Sequence, residues 1–266
     1  MSCPDCFTGS VLDGEPKGAI VDIQGAYLAA GPGTPNRAII FLTDIFGLSL
    51  KNSKILADNF AQHLQCDVWV PDIFAGHPPV TADQMKLLPD RAGVKTSFFT
   101  ILSLIWAVLP SLPGLIRNRK SVVVPRTVSF VEKLQASKKY EKLGAIGYCF
   151  GGGVAMRMGA TTDLFNSIIL VHPSPPSDDD LKAIKVSLRC LTRTPDEMGI
   201  KPERMREIEA MYEGRKGKDT FVEYEIKTYK AHGFGARPNL AYPDVKEGYE
   251  KAFQQAVDWF NKTIPA

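Results

Sequence analysis

The chain has 266 residues, of which 44% are hydrophobic and 23% charged, and it carries a net charge of +3. That is enough apolar chain for one domain with a full core, and the mild basic excess is too dispersed to be a footprint for nucleic acid, its densest cluster being Arg117-Asn118-Arg119-Lys120. Five cysteines, an odd count, with no basic or apolar leader at Met1-Ser2-Cys3-Pro4-Asp5-Cys6, argue against a disulfide framework and for a reducing, cytoplasmic setting.

Cys3 and Cys6 form a C-x-x-C pair, but no second pair or spaced histidines complete a zinc site and no strand precedes them as in a redox motif. Neither a metal nor a cofactor is expected. Extended segments are expected at Ala19 to Gln24 and Tyr27 to Ala30, before the turn-rich Gly31-Pro32-Gly33-Thr34-Pro35. Arg37 to Leu42 is a continuous β-branched and aliphatic run suited to a strand buried on both faces, and Asn52 to Gln65 has the apolar spacing of an amphipathic helix. Val68 to Pro71 reads as a short strand. An excursion over about 73–124 follows, with an apolar helix at Phe98 to Leu109 lining a pocket; Pro110, Pro113 and Gly114 interrupt the run and argue against a membrane span. Thr127 to Gln135 reads as a helix, then Leu143 to Tyr148, Ser167 to His172, Val186 to Leu191 and Phe221 to Tyr229 as strands, and Val245 to Lys262 as the closing helix. Such alternation predicts one α/β domain over 1–266, a mostly parallel twisted sheet with helices on both faces, whose ligands bind at the carboxyl ends of the strands.

Gly147-Tyr148-Cys149-Phe150-Gly151-Gly152 joins the Leu143 to Tyr148 strand to a stretch of small residues that reads as a helix. It has the form of a nucleophile elbow with cysteine in the place of serine. Glycines flank the turn because its backbone leaves no room for side chains, and the helix N-terminus it opens favours a thiolate and offers N–H groups to an oxyanion. The competing reading is a small buried hydrophobe, the commonest fate of a free cysteine. Downstream, in the order nucleophile, acid, histidine, stand Asp196 and His232, each just after an expected strand. His172, at a strand end before Pro173, competes with His232; Glu197 and Asp178 to Asp180 compete with Asp196. The oxyanion hole is expected at the N–H groups of Ile45 and Phe150. Asp44 beside it is either a helix cap or a carboxylate that raises the thiol pKa by like-charge repulsion.

DIFG at 44–47, PDIFAG at 71–76, GYCFGG at 147–152 and HGF at 232–234 resemble the dienelactone hydrolase family, particularly its fungal cytosolic members, which also begin with an MSCPDC-like tail. The resemblance covers nearly the whole chain. It implies an α/β-hydrolase fold and a Cys149-Asp196-His232 triad acting on a small-molecule ester or lactone, with Ile45 and Phe150 as the oxyanion hole. It also implies that the carboxylate at Asp44, a glutamate in the bacterial prototype, holds the thiol neutral until substrate displaces it. Arg237 is the nearest match to an arginine that binds the substrate carboxylate, although it sits one residue further from the histidine than in the prototype. Tyr148 and Phe234 are the other candidate substrate contacts. The rival expectation is a non-catalytic member of the fold with Cys149 as a redox-sensing thiol. Oligomeric state is silent in the sequence.

Overall fold

The computed structural model describes residues 9–33, 35–85, 111–173, 177–193, 202–218, 222–229 and 235–266. Its strands are β1 (Ala19–Ile20), β2 (Tyr27–Ala29), β3 (Arg37–Leu42), β4 (Asp67–Val70), β5 (Lys142–Tyr148), β6 (Ser167–Val171), β7 (Ser187–Arg193) and β8 (Tyr224–Tyr229). They form one sheet in the order β1-β2-β4-β3-β5-β6-β7-β8, antiparallel from β1 to β4 and parallel from β4 through β8. The helices are α1 (Lys51–Leu64), α2 (Ala82–Met85), α3 (Leu112–Arg117), α4 (Lys120–Lys138), α5 (Phe150–Thr161), α6 (Asp178–Ala183), α7 (Pro202–Glu213) and α8 (Pro243–Thr263).

The uninterrupted apolar runs follow from helices on both faces, since a strand covered on each side gains nothing from a polar alternate residue. In β3, Ala38, Ile40 and Leu42 enter the core under α4, α5, α6 and α7, while Ile39 and Phe41 enter the core under α1 and α8. β5 repeats the pattern: Leu143 and Ala145 face the first core, Ile146 and Tyr148 the second. α1 buries Leu56, Phe60 and Leu64 at helical spacing and stops at Gln65, whose left-handed φ of 52° ends the ladder.

Several elements differ from expectation. β1 closes after two residues because the chain turns back through Gln24 and Gly25, both at positive φ. α4 starts at Lys120, not Thr127: Pro125 reads as a breaker, but it lies on the exposed side of the helix, where water replaces the lost bond. α7 has no counterpart in the sequence reading. The Asp178 to Asp180 run is the first turn of α6, and Ser177 caps it by accepting the Asp180 N–H at 3.2 Å. The expected helix at Phe98 to Leu109 lies outside the described residues.

Opposite the carboxyl edge of the sheet, buried Arg37 opens β3 and donates to the Ile264 carbonyl at 2.6 Å, the Leu64 carbonyl at 2.5 Å and Asn261 Oδ1 at 3.0 Å. One guanidinium thereby ties the C-terminal ends of α1 and α8 to the central sheet, where the helix dipoles favour a cation. Arg37→Leu strands carbonyls at both helix ends, each worth about 1–3 kcal/mol. Denaturant unfolding should show a loss of about 2–6 kcal/mol for the two groups together, with specific activity per folded molecule unchanged because the residue sits at the wrong end of the strands for chemistry.

Candidate active site

The tight turn between β5 and α5 centres on Cys149, whose backbone stands at φ 51° and ψ −108°. A non-glycine residue at positive φ is strained by roughly 1–3 kcal/mol, a cost that a merely space-filling thiol has no reason to carry. Crowding around the turn is severe. A Cβ on Gly147 would meet the Gly151 carbonyl oxygen at 2.2 Å, and one on Gly151 would meet the Leu42 carbonyl oxygen at 2.2 Å. Only glycine lets the first turn of α5 press against both its own strand and the end of β3. The Cys149 N–H donates to the Val171 carbonyl at 3.0 Å, which binds the turn to β6.

Cys149 is 6% exposed and packs with Ile45, Phe46, Leu50 and Val80, with Phe150 alongside. Two of its neighbours come from the loop after β3 and are placed by the loop's own sequence. Asp44 Oδ1 accepts the Phe46 N–H at 3.0 Å, folding Asp44-Ile45-Phe46-Gly47 into a tight turn in which Gly47 takes φ 58°. The next strand ends the same way: Asp72 Oδ1 accepts the Phe74 N–H at 3.2 Å in Asp72-Ile73-Phe74. The two loops meet where the Val80 N–H donates to the Ile45 carbonyl at 3.3 Å, and Phe74 lies 5.4 Å from Phe150, centroid to centroid.

Asp44 caps neither the short helical turn before α1 nor α1 itself; both begin without a side-chain cap. Its second oxygen is held by Arg237 in an ion pair whose carboxylate is 1% exposed and whose guanidinium is fully buried. The same guanidinium lies 4.8 Å from the centre of the Phe46 ring. Arg237 was expected to hold a substrate carboxylate, and the structure instead commits it to Asp44. On another side, part of the Lys120 side chain stays in contact with water. Enclosure of its ammonium lowers its pKa, an effect opposed by Asp180 and by Cys149, so the cation lies within electrostatic range of the sulfur.

The structure thus gathers Cys149, Ile45, Phe150 and Asp44, with Arg237 behind Asp44. It does not bring Tyr148 to them. Tyr148 shares the parity of Ile146 and therefore points into the opposite core, stacked 4.9 Å from Phe41. Burial pushes its hydroxyl well above the usual phenol range. This corrects its assignment as a substrate contact. Asp196, His232 and Phe234 lie outside the described residues. Sequence reasoning missed Phe46, Val80 and Lys120; the repeated Asp-Ile-Phe after two adjacent strands was the signal available for the first. Among the described residues no cluster of three or more His, Cys, Asp or Glu gathers as a metal site, and no helix is long and apolar enough to cross a membrane.

The family model described as the dienelactone hydrolase family matches residues 24–264. This chain belongs to that family. It is an enzyme, a hydrolase of the ester and lactone class. The hydrolase pyvD of Aspergillus violaceofuscus is 29% identical over 97% of this chain and 96% of its own length. Dienlactone hydrolase 1 of Gibberella moniliformis is 24% identical over 96% and 92%. Among solved structures, a dienelactone hydrolase-like promiscuous phosphotriesterase from metagenomic libraries superposes with a TM-score of 0.62 at 16% identity, covering 90% of this chain and 92% of its own. Dienelactone hydrolase from Anabaena variabilis gives 0.57 at 14% identity, covering 94% and 99%. At these identities the structures speak for the α/β-hydrolase fold.

Two outcomes follow. Gly144→Ala asks only for movement of the Phe260, Ile264 and Ile39 side-chain ends, a cost of about 1–3 kcal/mol. Gly151→Ala drives a methyl into backbone and should lose more stability in urea unfolding, together with activity. Burial pushes the Cys66 and Cys190 thiols up to about 12, so at pH 8 roughly one in ten thousand is thiolate. Iodoacetamide should therefore leave both unlabelled in the native protein at pH 8 while labelling Cys149, and denaturant should expose all three.

Proposed function

We propose that the enzyme hydrolyses activated esters or lactones through Cys149, with His232 as general base and Asp196 as its orienting acid. The observation that carries this reading is the strained Cys149 backbone at the N-terminus of α5, since strain of this kind is retained where the geometry is used. A reducing, cytoplasmic setting, in which an odd number of cysteines stays reduced, belongs to this reading.

Support for the base comes from the chain on either side of it. Strands β5, β6, β7 and β8 are parallel, so all end at one edge of the sheet. At about 4.8 Å per strand, β8 ends roughly 14 Å from β5. Three residues beyond Tyr229 comes His232, and three residues later Gly235, where a Cβ would lie 2.6 Å from Val171 Cγ1 and 3.0 Å from Tyr148 Cε1. The chain has by then crossed back to the ends of β5 and β6. In the sequence His232 stands three positions from Tyr229 and three from Gly235. Asp196 follows Arg193, the last residue of β7, by three residues in the sequence.

In the first half-reaction the Cys149 thiolate attacks the acyl carbon, and the carbonyl electron pair moves to oxygen, held by the N–H groups of Ile45 and Phe150. Collapse of the adduct expels the alkoxide or enolate, which takes the proton from the His232 imidazolium. In the second half, His232 draws a proton from water, the hydroxyl adds to the thioester, and the thiolate departs with release of the acid. Thiolate is itself a good leaving group, so the adduct partitions forward only when the substrate's own leaving group is activated. Enol esters, aryl esters and strained lactones qualify, and amides do not.

Arg237 and Asp44 take supporting roles in this reading. The paired carboxylate no longer stands as a lone negative charge beside the thiol, and the guanidinium holds the oxyanion loop in place of a substrate carboxylate. Cys149→Ala should lower turnover of p-nitrophenyl acetate by at least about a thousandfold while leaving the unfolding midpoint near that of the parent. Rapid quench and mass spectrometry should find the acetyl group on the Cys149 peptide of the parent; undiminished turnover by the alanine variant overturns the assignment.

A further inference from the structure

Asn52 stands in the first turn of α1, 1% exposed, and spends its side-chain amide on three backbone groups from two distant segments. Its Nδ2 donates to the Ser10 carbonyl at 2.9 Å and to the Ala236 carbonyl at 3.0 Å, and its Oδ1 accepts the Leu12 N–H at 3.0 Å. The two segments are also joined directly, the Ser10 N–H donating to the Arg237 carbonyl at 3.1 Å. Gly9 lies so close that a Cβ there would meet Arg237 Cβ and the Arg237 carbonyl oxygen at 2.5 Å each, and its φ of 131° is one a side chain rarely adopts.

Ala236 and Arg237 are buried residues in the segment that leads from β8 to α8. They are gripped from one side by the chain that follows β3: Asp44 takes the Arg237 side chain and Asn52 takes the Ala236 backbone. From the other side the segment at residues 9–12 runs across them as a strap. Leu12 and Ala236 also enter the same buried apolar cluster, which adds packing to the polar grip. Three hydrogen bonds to one buried amide set the segment's register as well as its position, because each partner is a fixed backbone atom.

We propose that Asn52 is a positioning residue, which with the strap at 9–12 fixes the far anchor of the loop bearing His232 and so sets the approach of the imidazole to Cys149. This rests on the reading of His232 as the base. Only three residues stand between His232 and Ala236 in the sequence, so on this proposal slack at the anchor reaches the ring as a displacement on the order of an ångström. A misplacement of that size lowers turnover by one to two orders of magnitude, on the order of 10–100-fold, without weakening ground-state binding.

The test compares the full-length parent with Asn52→Leu, Gly9→Ala and His232→Ala. Kinetics with p-nitrophenyl acetate, thermal unfolding, and the pH dependence of iodoacetamide alkylation at the Cys149 peptide, followed by mass spectrometry, are measured for each. A thiol paired with an imidazole is alkylated at pH values where an isolated thiol is not. Asn52→Leu should lower kcat about tenfold, leave KM within about twofold, and shift the low-pH limb of alkylation toward that of His232→Ala. Gly9→Ala, which dislodges the strap and leaves Asn52 intact, should move kcat and the limb in the same direction. Unfolding temperatures that fall while kcat and the alkylation profile stay at parental values overturn the positioning role. Should Asn52→Leu fail to fold, Gly9→Ala decides alone by the same criterion. A His232→Ala profile identical to the parent overturns the base assignment and the strap with it, whereas a shifted His232→Ala profile beside unmoved Asn52→Leu and Gly9→Ala profiles overturns the strap only.

Discussion

The first turn of α5 can lie against the end of β3 only because Gly147 and Gly151 present no Cβ, and that contact forces Cys149 into a backbone conformation it would not choose. The rest of the site is arranged around this point. β3 must end where Leu42 carbonyl oxygen meets Gly151, so the loop that follows begins beside the sulfur. That loop supplies Ile45 and Phe46 to the pocket, and Asp44 locks its turn. The Cys149 N–H, bonded to Val171, carries the constraint into β6. A packed sheet on both faces gives such a turn something rigid to strain against.

The pair Asp44 and Arg237 is the second fixed point, and stability does not account for it. Two desolvated charges seldom improve on well-packed apolar groups of the same size, although removing one partner alone costs about 3–5 kcal/mol. What the pair offers is geometry. A bidentate carboxylate serves the Phe46 N–H with one oxygen and Arg237 with the other, so the loop after β3 and the chain before α8 are held in one arrangement. Phe46 lies against the guanidinium face and keeps water from competing.

Much of this was legible in the sequence where the physical signal is local. Runs such as Arg37 to Leu42 and Ser167 to Val171 read as strands because burial on both faces leaves no room for polar residues. The flanking glycines of Cys149 read as an elbow because close backbone approach has no other solution. The start of α4 was hidden by Pro125, whose usual meaning as a breaker fails on an exposed helix face near the N-terminus. Tyr148 was misread although its parity with Ile146 already assigned it to the opposite core. The partnership of Asp44 with Arg237 joins residues 193 apart in the chain, and no periodicity reports on it. Asn52 is likewise an ordinary first-turn residue until the backbone of two remote segments is laid against it.

The charge balance at the sulfur follows from these placements. With Asp44 paired to Arg237, the charges acting on Cys149 among the described residues include the α5 N-terminus and the Lys120 ammonium, both positive. On the proposed reading each favours thiolate over thiol, and each also stabilises the oxyanion formed by attack of that thiolate, since the negative charge moves only from sulfur to oxygen within the same field. A lone carboxylate at position 44 would oppose both states. On the proposed reading the ion pair therefore serves twice, holding the loop in register and offsetting a nearby charge that works against an anionic nucleophile.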